Sequence, residues 1–280
     1  QGDFHEALNF SSLHKLPIVF VIQDNGWAIS VPVKDQISGG CISRIAGAYK
    51  DVEVFKANGS DFHETASAMH QAVERARKQI GPSVVIAKVP RIGPHSSSDD
   101  PKKYKTEQDL AEDLKEDPLP FFEQWLLDLK MTTKDGLEDL KKECFQKIEQ
   151  AALEADQIPY PDPKSARERV FKEFSPSSGP SKKGETIVMM DALNHALEEE
   201  MQRDPHVVVF GQDVAKGKGG VFGITRGLTD KFGEERCFNT PLAESTIIGM
   251  ATGMTFDGVH KCVGGSAICR LLLDRDQSII

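Results

Sequence analysis

Cysteine and large aromatic residues are scarce in this sequence. Its 280 residues include two tryptophans, three tyrosines and five cysteines, which are Cys41, Cys144, Cys237, Cys262 and Cys269. The cysteines are scattered, and no two of them form a Cys-x-x-Cys pair. This pattern excludes a disulfide framework and a cysteine zinc site as organising features. It predicts reduced thiols in a cytoplasmic compartment.

Long apolar runs and an excess of positive charge are also missing. No apolar run approaches the roughly 20 residues that a membrane-spanning helix needs, so we expect no membrane as a partner. The formal net charge is −9, from 34 Lys and Arg against 43 Asp and Glu. This balance argues against nucleic acid as the main partner. The hydrophobic fraction of 39% is typical of a globular protein, and the length leaves room for two domains.

A polar turn directly follows the apolar run at residues 17–22. The run is short, β-branched and free of charge, which predicts a strand buried on both faces. The turn lies at the carboxyl end of this strand, where ligands bind in open α/β sheets. Asn25 offers a neutral oxygen, and Gly26 lets a carbonyl turn inward, so the turn suits Mg²⁺. An ordinary strand-ending turn is the alternative, because Asn-Gly is common turn chemistry.

Strand and helix patterns alternate along the rest of the first half. Strands are predicted at residues 52–57 and 83–89, on either side of a helix with an Asp61–Glu64 capping box. The predicted apolar face of that helix consists of Phe62, Ala66, Met69, Val73, Ala76 and Ile80. A strand, a helix and a strand in this order predict a parallel sheet with a right-handed crossover. After a polar loop at 91–100, two amphipathic helices are predicted around residues 121–129 and 137–148.

A second α/β pattern begins after a break in the periodicity. Residues 157–185 are rich in Pro, Ser, Gly and Lys, which predicts a linker. A helix at 188–201 and a strand at 207–210 follow, and a further helix begins near Glu244. The predicted fold class is α/β, with parallel sheets flanked by helices.

Three motifs resemble the thiamine-diphosphate-dependent 2-oxo acid dehydrogenases, the first components of the pyruvate and branched-chain 2-oxo acid dehydrogenase complexes. They are Asn25-Gly26-Trp27-Ala28-Ile29-Ser30, Arg91-Ile92-Gly93-Pro94-His95-Ser96 and Asn239-Thr240-Pro241-Leu242-Ala243-Glu244. The first two resemble the α part of these enzymes, and the third resembles the β part. The Gly-Asp-Gly motif of the family falls before Gln1. The resemblance therefore implies two incomplete thiamine-diphosphate-binding modules.

The implied modules divide the chain into three segments. Residues 1–160 are the α part, which in the family binds the diphosphate through Mg²⁺. Residues 161–185 are the linker, and residues 186–280 are the start of the β part, which in the family binds the pyrimidine. Because both parts stand on one chain, the resemblance implies a fused arrangement.

The resemblance also implies roles for particular residues. Glu244 and His95 are the implied catalytic residues: the first hydrogen-bonds the pyrimidine from a place shielded from water, and the second reaches the reacting carbon. For Mg²⁺, the implied ligands are the Asn25 side chain and the Trp27 carbonyl. The implied cofactor-binding residues are Asn25, Gly26, Ile29, Arg91, His95 and Glu244. Without the resemblance, Glu244 is explained as a first-turn acid favoured by the helix dipole, and a solvated loop histidine is the preferred interpretation of His95.

The implied activity is the oxidative decarboxylation of a 2-oxo acid. The acyl group passes to lipoamide on a lipoyl-bearing acyltransferase, and we expect a homodimer of a full-length fused chain. An acetoin-cleaving or transketolase-like thiamine enzyme is the alternative within the class. A chain kept only for assembly is the alternative outside it. We expect the 280-residue chain to be inactive by itself.

The sequence departs from the family at two places in its second half. The family more often has Glu where Gln212 stands. After Lys261 the family continues with a strand like Val-Glu-Val-Gln-Phe, whereas Cys262-Val263-Gly264-Gly265 stands here. Back-translating the family pattern into DNA and shifting the reading frame by one base gives a similar order of residues. We therefore expect a frame-shifted tail from about Cys262. An intact reading frame in the DNA would contradict this hypothesis.

Overall fold

The computed structural model describes residues 2–168, 186–216, 219–256, 261–265 and 270–273. The chain divides into two compact units. We call Ser11–Tyr160 the N-terminal unit, and Gln1–Phe10 with Pro161–Ile280 the C-terminal unit. Helix α1 (Gly2–Leu13) runs across this division. Residues 169–185 of the predicted linker lie outside the described residues.

The N-terminal unit is built on a parallel sheet. Its elements after α1 are β1 (Val19–Asp24), β2 (Trp27–Ala28), β3 (Val31–Pro32), α2 (Ile42–Ala46), β4 (Glu53–Asn58), α3 (Phe62–Arg77), β5 (Ser83–Lys88), α4 (Glu107–Lys115), α5 (Pro118–Asp128) and α6 (Lys134–Gln157). The sheet has the order β1-β5-β4, with every pair parallel. The predicted parallel sheet is confirmed. All three strands end at the same edge, where Asp24 and Asn58 both align with Lys88.

The burial of β1 differs from the sequence prediction. Val21 is 54% exposed, so the expectation of a strand buried on both faces is wrong. Among the described strands, β1 pairs only with β5 and is therefore an edge strand. The strand that is buried on both faces is the central strand, β5. Val84 and Val85 in β5 are 0% exposed. A run of β-branched residues does not by itself distinguish a central strand from an edge strand.

The buried face of α3 agrees with the prediction only in part, since Met69 of the predicted face packs against the sheet but the fully buried residues are others. Ala68 and Ala72 pack against Ala57 and Val85 of the sheet. Of the large residues at the ends of the predicted face, Phe62 is 54% exposed and Ile80 is 46% exposed. Small side chains allow the helix to approach the sheet closely, so the alanines form the contact.

The amino end of α3 is capped by one residue rather than by a reciprocal pair. The Asp61 side chain accepts a hydrogen bond from the Glu64 N–H at 2.9 Å. The Asp61 N–H donates to the Asn58 carbonyl at 3.0 Å, which occupies the donor that a capping box would use. The reciprocal pair is found at α4 instead, between Thr106 and Asp109.

The C-terminal unit is organised around a strand buried on both faces. Its elements after the first residues of α1 are α7 (Met189–Arg203), β6 (Val207–Gly211), α8 (Leu228–Phe232), β7 (Cys237–Asn239), α9 (Glu244–Phe256), β8 (Lys261–Gly265) and β9 (Arg270–Leu273). The sheet order is β7-β6-β8-β9, and β6 is parallel to β7 and β8. On one face of the sheet, Val207 and Val209 pack in a hydrophobic cluster with residues of α7 and α8. Val208 and Phe210 face Ile247 and Ala251 of α9.

The departure from the family after Lys261 falls on β8. Residues 261–265 pair with β6 in parallel register, from Val207↔Lys261 to Gly211↔Gly265. The first residues of the unusual tail are therefore in a strand that continues the sheet. Residues 266–269 and 274–280 lie outside the described residues, and the frame-shift hypothesis stays a prediction.

Within the described ranges, no helix combines the length and the apolar character needed to cross a bilayer.

Candidate functional site

A cleft of about 920 Å³ opens at the carboxyl edge of the N-terminal sheet. Asn25, Gly26 and Trp27 line it from the turn after β1. Lys56 and Lys88 line it from the ends of β4 and β5. Ligands of open α/β sheets bind at this kind of edge. The predicted turn residues are therefore placed where a ligand can reach them.

The turn after β1 has a regular hydrogen-bond pattern. The Asn25 Oδ1 atom accepts the Trp27 N–H at 2.9 Å, and the Asp24 Oδ1 atom accepts the Gly26 N–H at 3.0 Å. Gly26 has φ +75°, a left-handed conformation that glycine adopts without strain. Its carbonyl accepts the Val33 N–H at 2.8 Å, which closes the β2–β3 hairpin.

The oxygens of this turn fit part of a Mg²⁺ coordination shell. Trp27 pairs with Pro32 across the hairpin, and proline has no N–H to occupy the Trp27 carbonyl. The Asn25 Oδ1 atom keeps a second lone pair beyond its bond to Trp27. However, the described residues contain no group of three or more His, Cys, Asp or Glu side chains that could hold a metal ion. The turn therefore provides neutral ligands without a complete site.

Arg91 joins the loop at 91–100 to the hairpin. Its Nη1 donates to the Ile29 carbonyl at 2.6 Å, and its Nη2 donates to the Tyr104 hydroxyl. Ile29 has φ 56°, which turns the backbone at the hairpin tip. The buried Nε of Arg91 has no hydrogen-bond partner among the described residues. A guanidinium N–H in this state is available to donate to an anion, which fits a diphosphate.

His95 is held at its backbone while its side chain is exposed. The His95 N–H donates to the Asp99 Oδ2 at 2.8 Å, and the Tyr104 hydroxyl donates to the same oxygen at 2.6 Å. These bonds, the Tyr104 hydroxyl first, hold the pKa of the Asp99 carboxyl below its ordinary value. Desolvation, and then the hydrogen bond to Asp99, raise the pKa of Tyr104.

Lys105 is a buried cation beside this network. Its side chain is 1% exposed and forms an ion pair with Asp113. The Nζ donates to the Arg91 carbonyl at 3.2 Å and lies 5.5 Å from the centre of the Trp27 ring. Asp99, Tyr104 and Lys105 were missed by sequence reasoning. They carry no local motif, and only the fold brings them to Arg91 and Trp27.

In the C-terminal unit, Glu244 is the first residue of α9, as the sequence predicts. It is exposed among the described residues, so the expectation of a carboxyl group shielded from water is not met there. Its own backbone N–H, followed by the Gln212 side chain, holds the pKa of the Glu244 carboxyl below its ordinary value. The Gln212 contact lies outside regular hydrogen-bond geometry, because the Gln212 Nε2 has no partner by distance and angle.

A second acid of the C-terminal unit binds the first turn of α9. The Glu6 Oε2 atom accepts the Thr246 N–H and the Thr246 hydroxyl, both at 3.2 Å. A carboxylate at a helix amino end satisfies a free N–H and interacts favourably with the helix dipole. Sequence reasoning missed this contact, because the two residues lie 240 positions apart.

Comparison with known families agrees with this architecture. Residues 1–164 match the family described as "Dehydrogenase E1 component", and residues 185–266 match "Transketolase, pyrimidine binding domain". The fold and the two matches define the class: an α/β protein of the thiamine-diphosphate-dependent type. Because the first match covers more than half of its length, the chain belongs to the Dehydrogenase E1 component family. The resemblance seen in the sequence is confirmed at this level.

Three relatives show how far the similarity extends. The 2-oxoisovalerate dehydrogenase subunit alpha of Bacillus subtilis is 36% identical over 171 residues, covering 61% of this chain and 52% of the relative. A 3-methyl-2-oxobutanoate dehydrogenase subunit alpha of Mycobacterium tuberculosis is 36% identical over 128 residues, covering 46% and 35%. The pyruvate dehydrogenase E1 component subunit alpha of Acholeplasma laidlawii is 33% identical over 148 residues, covering 52% and 43%. The chain spans about half or less of the length of these relatives.

Among solved structures, a transketolase from Campylobacter jejuni is similar over 94% of this chain and 40% of its own. The sequence identity is 17% and the TM-score is 0.48. A score at this level is too low to establish a shared fold.

Proposed function

We propose that the full-length protein is the dehydrogenase component of a 2-oxo acid dehydrogenase complex. It would decarboxylate a 2-oxo acid oxidatively and transfer the acyl group to lipoamide on a lipoyl-bearing acyltransferase. The observation that carries the proposal is the pair of family matches on one chain, each containing its motif residues. The relatives include both pyruvate and branched-chain enzymes, so the proposal covers both substrate types.

The proposed cofactor is thiamine diphosphate with Mg²⁺. Thiamine diphosphate, when bound, supplies the electron sink for decarboxylation. Arg91 supports the proposal with a buried, unpartnered Nε that can donate to a phosphate oxygen. Asn25 and Trp27 would provide two neutral metal ligands, and the remaining ligands would come from outside the described residues. His95 would hold or move a proton from its loop.

Glu244 is the proposed acid against the pyrimidine ring. A carboxyl group at a helix amino end has a fixed direction, and it can share a proton with a ring nitrogen. We also propose a cytoplasmic location and a homodimer of a fused chain. The location is supported by the free state of the three described cysteines, Cys41, Cys144 and Cys237.

The experiment compares the full-length wild type with Glu244→Gln, using pyruvate and branched 2-oxo acids with lipoamide as acceptor. We expect the wild type to be active with lipoamide. The Gln side chain keeps the shape but cannot exchange a proton, so turnover should fall by about 10²- to 10⁴-fold while cofactor affinity changes little. Normal turnover of a cofactor-loaded Gln variant would leave Glu244 as a helix-capping acid. Thiamine-dependent activity without lipoamide would favour an acetoin-cleaving or transketolase-like enzyme.

A further inference from the structure

Gln212 is a buried polar residue without a regular partner, next to the predicted catalytic acid. It follows the last residue of β6 and is 7% exposed. Its Nε2 atom is buried and lacks a hydrogen-bond partner among the described residues. Such an unpaired amide is unfavourable, since burial of a polar group without a hydrogen bond costs free energy. A buried amide in this state needs an acceptor.

The packing of β6 against α9 brings the end of the strand, which directly precedes Gln212, to the start of the helix at Glu244. Val208 and Phe210 of β6 pack on Ile247 and Ala251 of α9. The Gly211 carbonyl accepts the Thr240 N–H at 2.8 Å, which joins the end of β6 to the segment that leads into α9. The end of the strand and the start of the helix are therefore fixed side by side. Gln212 directly follows β6, and Glu244 is the first residue of α9.

We propose that Gln212 is a positioning residue for Glu244: its buried amide donates to the Glu244 carboxylate and orients it at the start of α9. The importance of this role for turnover rests on the proposed function. An amide can only donate or accept a hydrogen bond, so it directs the carboxylate without competing for its proton. A Glu at this position, which the family more often has, would place a second carboxyl beside the first.

The charge state of Glu244 follows from its surroundings. The backbone N–H of Glu244 and the Gln212 side chain favour the carboxylate, while desolvation opposes it. Glu6 is the charged group on α1 that faces the first turn of α9, where it accepts from Thr246. No Lys or Arg contributes to the lowered pKa of the Glu244 carboxyl. Loss of the Gln212 donor should therefore raise this pKa.

The test is NMR titration of the 280-residue chain, with ¹³C-labelled glutamate to follow Glu244 and ¹⁵N-labelled glutamine to follow Gln212. Neither cofactor nor turnover is needed. In the wild type, the side-chain NH₂ signal of Gln212 should shift with the same midpoint as the Glu244 carboxyl. A Gln212 signal that does not respond to the titration of Glu244 would overturn the proposal, and this measurement requires no variant to fold.

Two substitutions extend the test. Gln212→Met keeps the length and removes the donor, so the Glu244 midpoint should rise toward that of an ordinary glutamate. Gln212→Glu should raise it further, because two neighbouring carboxyls resist double ionisation. An unchanged midpoint in both folded variants would overturn the proposal.

The matched control is Gln150→Met. The Gln150 Nε2 donates to the Glu154 carboxylate at 2.8 Å on exposed α6, so the control removes the same chemistry elsewhere. It should leave the Glu244 midpoint unchanged, and an equal rise in the control would overturn the proposal. The proposed function is judged separately, by lipoamide-dependent turnover of the full-length protein. If Gln212 and Glu244 titrate together but the full-length protein is inactive with lipoamide, the proposed function is wrong and the proposed Gln212–Glu244 hydrogen bond is retained.

Discussion

At the residue scale, His95 combines a restrained backbone with an accessible imidazole. Its N–H is bound to Asp99, while the side chain is exposed. We expect His95→Ala in the full-length protein to lower turnover with lipoamide by about 10²- to 10⁴-fold, the range for a positioned acid or base. Cofactor affinity, measured by calorimetry, should change much less. Wild-type turnover in this variant would make His95 a bystander on its loop.

The same loop should respond to pH through Asp99. The Tyr104 hydroxyl and the His95 N–H depress the pKa of the Asp99 carboxyl in the folded protein. A depressed carboxyl contributes stability that is present above its unfolded pKa of about 3.9 and is lost as the pH falls through the folded value. Hydrogen-exchange protection of the His95 amide should therefore fall in acid below about pH 4.

Tyr104→Phe isolates this effect, because it removes the largest cause of the shift. The variant should lower the protection of the His95 amide at neutral pH and reduce its pH dependence. Thr106→Ala is the matched control: it removes a hydroxyl that donates to the Asp109 carboxylate outside the loop and leaves the Thr106 backbone N–H bond to Asp109 in place. If Tyr104→Phe and Thr106→Ala affected the His95 amide equally, the loop network would not be the cause.

At the scale of elements, the difference between a central and an edge strand can be measured on two paired residues. Val21 of β1 and Val85 of β5 are partners in register, but they are 54% and 0% exposed. Val85→Ala removes buried methyl groups and leaves a cavity, so we expect a loss of about 2 kcal/mol in the free energy of unfolding. Val21→Ala should cost less than about 1 kcal/mol. Equal losses in urea unfolding would contradict the strand order.

The elements also show which features the sequence could predict. The parallel sheet and the start of α9 at Glu244 follow from periodicity and local chain chemistry, and both were predicted. The burial of β1 was not, because it depends on the position of the strand in the sheet. The fully buried residues of α3 were not, because contact with the sheet selects Ala68 and Ala72 over larger residues.

The candidate site divides in the same way. Motif residues such as Asn25, Arg91 and Glu244 could be identified from short segments of sequence, and their functional roles stay predictions. Their supporting residues could not, since the contacts are remote along the chain. Arg91 reaches Ile29 across 62 positions, and Thr246 reaches Glu6 across 240. Such pairs have no shared local pattern.

At the scale of the whole molecule, the ligand set decides how well the chain should bind its proposed cofactor. The described residues provide the Asn25 and Trp27 oxygens without a cluster of three metal-binding side chains. Mg²⁺ prefers an octahedral shell that includes carboxylate or phosphate oxygens. We therefore expect calorimetry on the 280-residue chain to show weak binding of thiamine diphosphate, with little dependence on Mg²⁺. Tight, Mg²⁺-dependent binding would contradict this expectation, and the full-length protein is the positive control.

The composition of the C-terminal unit has a consequence for how it assembles. Residues 2–10 of α1 belong to this unit, together with residues from 161 onward. On one polypeptide these pieces meet in a first-order step, so the yield of the folded unit is independent of dilution. If the chain were cut between 161 and 185, the same unit would have to form from two molecules. The stability of the unit would then depend on protein concentration by mass action, and it would decrease on dilution.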